Sequence, residues 1–156
     1  MEKLKKITGK WHGTYAYEPT GLTDKRQPVP FTLVLKKAWF GRFTGSVTEP
    51  DPAPGVSGIG TIEGYFSFPR IEFCKRMPVC FVALPDGRHI GLREYLTEQG
   101  QSCERNVPGP PIFYEGEFSD AGRAQGSWII HAQQIALGDG RTIPMPETKG
   151  VWSIEI

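Results

Sequence analysis

The chain's 156 residues suffice for a single domain, 1–156, with one hydrophobic core. Its 18 Lys and Arg against 17 Asp and Glu leave a formal net charge of +1, which argues against nucleic acid or an anionic membrane as a partner. With 19 Gly, 14 Pro and 12% aromatic residues, long helices are disfavoured and many short strands joined by turns are expected.

Residues 1–8 read as an N-terminal tail with three lysines and no apolar run of signal-peptide length, and no later window approaches a membrane span. Alternation of apolar and polar residues then predicts ten strands: 10–18, 31–37, 42–48, 57–67, 70–76, 79–84, 88–95, 112–118, 123–132 and 149–155. Helical spacing is confined to Leu92–Gln99, L-R-E-Y-L-T-E-Q, where it overlaps the seventh strand. Long connections at 19–30, 49–56, 96–111 and 133–148 alternate with short ones at 38–41, 68–69, 85–87 and 119–122, and only Met77-Pro78 breaks the rule. In an antiparallel meander successive connections lie at opposite ends, so the pattern predicts an up-and-down β-barrel with a loop-guarded mouth and a closed floor. Eight strands with an inserted hairpin or lid at 77–111 fit the alternation as well as ten. The three cysteines, Cys74, Cys80 and Cys103, have neither disulfide-framework nor zinc spacing and suit reduced thiols in a cytoplasm.

Within the strands one face is apolar. Trp11, Gly13, Tyr15 and Tyr17 share a parity, as do Phe31, Leu33 and Leu35, and Phe43, Gly45 and Val47. Glycine repeatedly falls in the aromatic set, where it lets a strand bend and leaves room for a neighbouring ring. Eleven rings point inward on this parity: Trp11, Tyr15, Tyr17, Phe31, Phe43, Phe66, Phe73, Tyr114, Phe118, Trp128 and Trp152.

The triplet G-x-W occurs at Gly9-Lys10-Trp11, Gly126-Ser127-Trp128 and Gly150-Val151-Trp152. In these motifs the chain resembles the calycin superfamily of lipocalin-like and avidin-like barrels, the first triplet looking like the lipocalin signature and the later ones like the avidin pattern. The resemblance implies an all-β, single antiparallel barrel of 8 to 10 strands with little or no helix, Trp11 plugging its floor and a ligand in its lumen. Two departures stand out. Gly150–Ile156 holds no Arg or Lys to pack over Trp11 as in lipocalins, and no polar set matches a biotin site.

The usual enzyme, nucleotide and metal motifs are absent, and no cofactor or metal is expected. The candidate ligand-binding residues are Tyr15, Tyr17, Phe31, Phe73, Lys75, Tyr114, Trp128 and Trp152: phenols and an ammonium for a carboxylate or carbonyl, rings for apolar contact. The competing reading makes the tyrosines ordinary core aromatics and lets Lys75 snorkel outward. His12 and His131 fall on the outer face, and His89 follows a tight turn placed at the closed end, so all three read as surface histidines. Trp39 and Phe40, at a closed-end tip, are expected to fold back over the floor, the alternative being contact with a partner. Phe113, Ile129 and Val151, on the outward parity of the last three strands, form a candidate homodimer patch. The leading functional reading is a carrier of a small hydrophobic or amphipathic molecule. The alternatives are an enzyme using the lumen for acid-base or isomerisation chemistry, and a structural or interaction protein whose barrel is filled by its own rings.

Overall fold

The structure, a computed structural model, describes residues 7–19, 21–37, 39–50 and 58–156. The alternating segments become strands Gly9–Tyr17 (β1), Val29–Lys37 (β2), Arg42–Thr48 (β3), Ile59–Ser67 (β4) and Arg70–Arg76 (β5). Short strands Phe81–Ala83 (β6) and His89–Gly91 (β7) lead into the helix Leu92–Glu98 (α1). Ile112–Asp120 (β8), Arg123–Ile130 (β9), Gln133–Ala136 (β10), Thr142–Met145 (β11) and Thr148–Glu155 (β12) complete the chain. Residues 1–6 of the expected tail, residue 57 of the fourth predicted strand, residues 51–56 of the loop before it, and residues 20 and 38 of two other connections lie outside the described residues.

Eight strands close an antiparallel barrel in the order β1-β12-β9-β8-β5-β4-β3-β2. The choice between eight and ten is thereby decided for eight, because β6 and β7 pair with each other outside the barrel. The seventh predicted strand, 88–95, is shared between β7 and α1. Its apolar residues Leu92 and Leu96 have helical spacing, and they are buried on one face of that helix. The long connection 133–148 holds an unpredicted hairpin, β10–β11, in which Ile135 pairs with Ile143.

Glycines opposite tryptophans explain the repeated triplet. Gly150 pairs with Trp128 and Gly126 with Trp152, each glycine on the neighbouring strand from the ring it faces. A Cβ on Gly150 would stand 2.7 Å from the Trp128 ring and collide with the Ala16 carbonyl. The uncovered backbone is what the indoles use: Trp128 Nε1–H donates to the carbonyls of Ala16 and Val151, and Trp152 Nε1–H to those of Glu115 and Ser127. Each tryptophan thus fills the interior while its one polar group is satisfied across the wall.

The closed end is packed with rings. Trp11, fully buried, donates from Nε1 to the Ile7 carbonyl at 3.0 Å and meets Phe118 edge-on; Phe66 and Phe68 also pack on Phe118. Trp39 and Phe40 do not fold over this floor, contrary to expectation: they are 82% and 92% exposed. Phe40 and Gly41 have φ of 57° and 80° in a turn closed by the Arg42 N–H on the Trp39 carbonyl, and this two-residue hairpin turns the tip rings away from the floor.

A second apolar cluster lies beyond the barrel. Cys80, Leu92, Leu96, Cys103 and Val107 of segment 77–111 pack with Ile135 and Leu137 of the β10–β11 hairpin. Arg105 and Arg141 tie the two pieces together through the carbonyls of Gly138 and Ser102. Both pieces sit at the mouth, so the barrel carries a cap with its own core.

Candidate functional site at the barrel mouth

Among the described residues, Glu49 and Lys75 are the charged residues buried in the core. Glu49 follows β3 and continues its inward parity after Phe43, Gly45 and Val47, so its side chain enters the barrel and is 4% exposed. Lys75, on the inward parity of β5 two residues after Phe73, is 2% exposed; it does not snorkel outward. Lys75 Nζ donates to Glu49 Oε2 at 2.8 Å, and the Tyr15 hydroxyl donates to Glu49 Oε1 at 2.7 Å. The ammonium also lies over the rings of Tyr15, at 4.2 Å, and Tyr114, at 5.2 Å. Glu49 is therefore satisfied on both oxygens, which is the condition under which a buried ion pair persists.

The cap closes over this pair. His89 of β7 stands at the mouth, not the closed end, with Nε2 3.5 Å from the Tyr17 hydroxyl. The tight 85–87 turn belongs to the inserted hairpin rather than the barrel, so counting it among the barrel's turns assigned His89 to the wrong end. Phe81, on the paired strand β6, lies 5.2 Å from the His89 ring. Arg26, forked onto Asp24, covers the outer face of Tyr17 at 4.7 Å. Between cap and barrel a cavity of about 40 Å³ is lined by Tyr15, Tyr17, Glu49, Lys75, His89 and Tyr114, with apolar walls from Met77, Phe81, Trp128 and Met145. That volume holds on the order of two or three waters.

Burial governs the chemistry of these groups. It pushes the phenols of Tyr15 and Tyr114 well above their ordinary range, with the Glu49 charge acting in the same direction. It pushes Tyr17 up to about 12, against the pull of Lys75. The same desolvation lowers His89. At neutral pH the phenols are hydrogen-bond donors and the imidazole is uncharged. In the cap, burial raises the Cys80 thiol to about 11, which keeps it protonated.

Of the sequence-predicted ligand residues, Tyr15, Tyr17, Lys75, Tyr114 and Trp128 line the cavity. Phe31, Phe73 and Trp152 lie deeper, as packing: Phe73 stacks on Tyr114 at 4.6 Å and meets Trp152 edge-on, and Phe31 leans on Tyr15. Glu49 and His89 were missed. Two more residues of the β3 alternation would have found Glu49; an inserted hairpin at the mouth would have found His89. Phe113 and Val151 are exposed on the outer wall, with Phe113 paired directly to Ile129. His131 packs on Phe113 there, and a broad concavity of about 1750 Å³ follows this outer wall from Val151 round to Trp39. It lies outside the strands, away from the buried pair. Among the described residues no His, Cys, Asp and Glu group is arranged to hold a metal ion, and no helix is long and apolar enough to cross a membrane.

Fold and site together define a class: an all-β, closed, eight-stranded antiparallel barrel with a polar centre under a cap at its mouth. No protein-family model matches the sequence, and no curated protein matches it.

Proposed function

We propose that this protein is a small-molecule-binding barrel of calycin-like type whose ligand docks at the mouth, its polar head beside Lys75 and Glu49 and its apolar part between barrel and cap. The observation that carries this reading is the Lys75–Glu49 pair itself, 2.8 Å apart and screened from solvent. A buried ion pair contributes little net stability compared with apolar residues of the same size, so its presence under a separately cored cap favours recognition over packing. The eight-strand closure and the placement of Trp11 in the first strand at the closed end support the calycin-like reading. The three unpaired cysteines support a cytoplasmic location.

The cap flanks the entrance to this site. Its arms leave the barrel at Met77 and return at Gly109, where the Gly109 N–H donates to the Met77 carbonyl. A native mass spectrum of the purified protein tests the proposal: co-purified mass is expected. A bare protein that also leaves a hydrophobic fluorescent probe dark supports the second reading, a structural barrel filled by its own rings. The small cavity favours that second reading, since an eight-stranded barrel is about narrow enough for side chains to fill it. For the enzyme alternative, the raised phenols make Tyr15, Tyr17 and Tyr114 proton holders at neutral pH rather than bases.

A further inference from the structure

Resting on the mouth site proposed above, we infer that the molecule it takes carries no net charge and presents an accepting oxygen, as in an amide, ester or ketone, to the hydroxyls of Tyr114 and Tyr17. Among the described residues, Lys75 and Glu49 are the formal charges lining the cavity, and they cancel. An anionic ligand would have to take Lys75 from Glu49 and strand a buried carboxylate; a cationic one would take Glu49 and strand the ammonium. Either costs far more than a single new contact returns. An uncharged molecule leaves the pair and its Tyr15 hydrogen bond intact.

The remaining polar groups decide what the head must offer. Trp128 N–H is engaged by the Ala16 and Val151 carbonyls, and Tyr15 O–H by Glu49. The Tyr114 hydroxyl finds no hydrogen-bond partner among the described residues; because no sealed side-chain oxygen or nitrogen is left unpaired, it reaches the cavity. The Tyr17 hydroxyl makes one long contact, 3.5 Å to His89 Nε2, and lies beside the Tyr15 hydroxyl, so it is a weakly engaged group that a ligand's acceptor can recruit. Tyr114, with an unspent donor, and Tyr17, with a weakly held one, therefore both face the cavity as protonated phenols, and an acceptor answers them. His89, held uncharged by burial, does not alter the balance. Met77, Phe81 and Met145 supply adaptable walls for an apolar body.

Benzamide, benzoate and benzamidinium share one shape and differ in charge. Each is titrated at neutral pH into the whole protein, with the His89 and Tyr114 ring resonances followed by NMR. Benzamide is expected to shift both saturably and to bind at least about tenfold more tightly than either ion. Tyr114→Phe, which keeps the ring, is expected to weaken benzamide about fivefold, and Tyr17→Phe similarly, without loss of fold. Benzoate or benzamidinium matching benzamide at the same resonances overturns the uncharged class and leaves the mouth site standing. An unchanged benzamide affinity in both tyrosine variants overturns the assigned donors. If none of the three probes moves these resonances, class and site fall together.

Discussion

Replacing Glu49 alone with Leu should destabilise this protein by about 3 kcal/mol, whereas replacing Glu49 with Leu and Lys75 with Met together should leave stability within about 1 kcal/mol of the wild type or raise it. At 2.8 Å the pair's attraction is about 6 kcal/mol for an effective dielectric of about 20, and removing two ions from water costs several kcal/mol each, so the pair nearly cancels. Truncating Glu49 removes the attraction and keeps the Lys75 penalty. The ammonium, 2% exposed, then has the faces of Tyr15, Tyr114 and, farther off, Phe31, worth about 2 kcal/mol, which places the loss at the lower end of the usual range of about 3–5. At about 2–4 °C per kcal/mol, the single variant should melt roughly 6–12 °C lower. Urea unfolding followed by tryptophan fluorescence, with thermal melts by circular dichroism, measures all three proteins. A double variant as unstable as Glu49→Leu would show that the pair holds the fold together instead of serving a site.

Gly150→Ala should cost about 2–3 kcal/mol in the same urea assay, since its Cβ would collide with the Ala16 carbonyl and the Trp128 ring; an unchanged midpoint would contradict the glycine-for-tryptophan packing. At alkaline pH the folded state holds protons on Tyr15, Tyr17 and Tyr114 that the unfolded chain releases, so stability should fall between about pH 10 and about pH 12, with tyrosinate absorbance rising late. At acid pH the sign reverses in origin: unfolded His89 binds its proton at about 6.5 and the buried ring resists it, so stability falls as pH drops below about 6.5. His89→Phe should flatten that slope, and an equally steep slope in the variant would show that another group causes it. On the outer wall, we propose that Phe113, Ile129 and Val151 pair two copies. Gel filtration should then give a dimer for the wild type and a monomer for Ile129→Glu, and monomers in both would discard the patch.

The barrel was legible because its signals are local. Two-residue alternation, glycines within aromatic strands and the alternation of long and short connections all act at short range, and each follows from strand geometry. Tyr15, Tyr17, Lys75 and Tyr114 were found at the mouth because their inward parity is set by the same alternation. Glu49 escaped because Pro50 and the prolines after it made the chain read as loop one turn too early, although its parity with Val47 was intact. The β10–β11 hairpin escaped for another reason, whereas α1 was legible in the helical spacing of Leu92–Gln99. Ile135 and Leu137 find their partners in segment 77–111, and a cap core assembled from pieces roughly 40 residues apart leaves no periodic trace in 133–148. The exposed Trp39 and Phe40 show the converse: apolar composition says nothing of which way a two-residue turn aims its rings.

On the reading proposed above, the ligand docks at the mouth beside the intact Lys75–Glu49 pair. Native mass spectrometry of wild type and of the Glu49→Leu, Lys75→Met double variant, purified side by side, tests it most directly. The wild type should carry an additional small mass and the well-folded double variant should be bare. The same adduct on both proteins, or on neither, would contradict it.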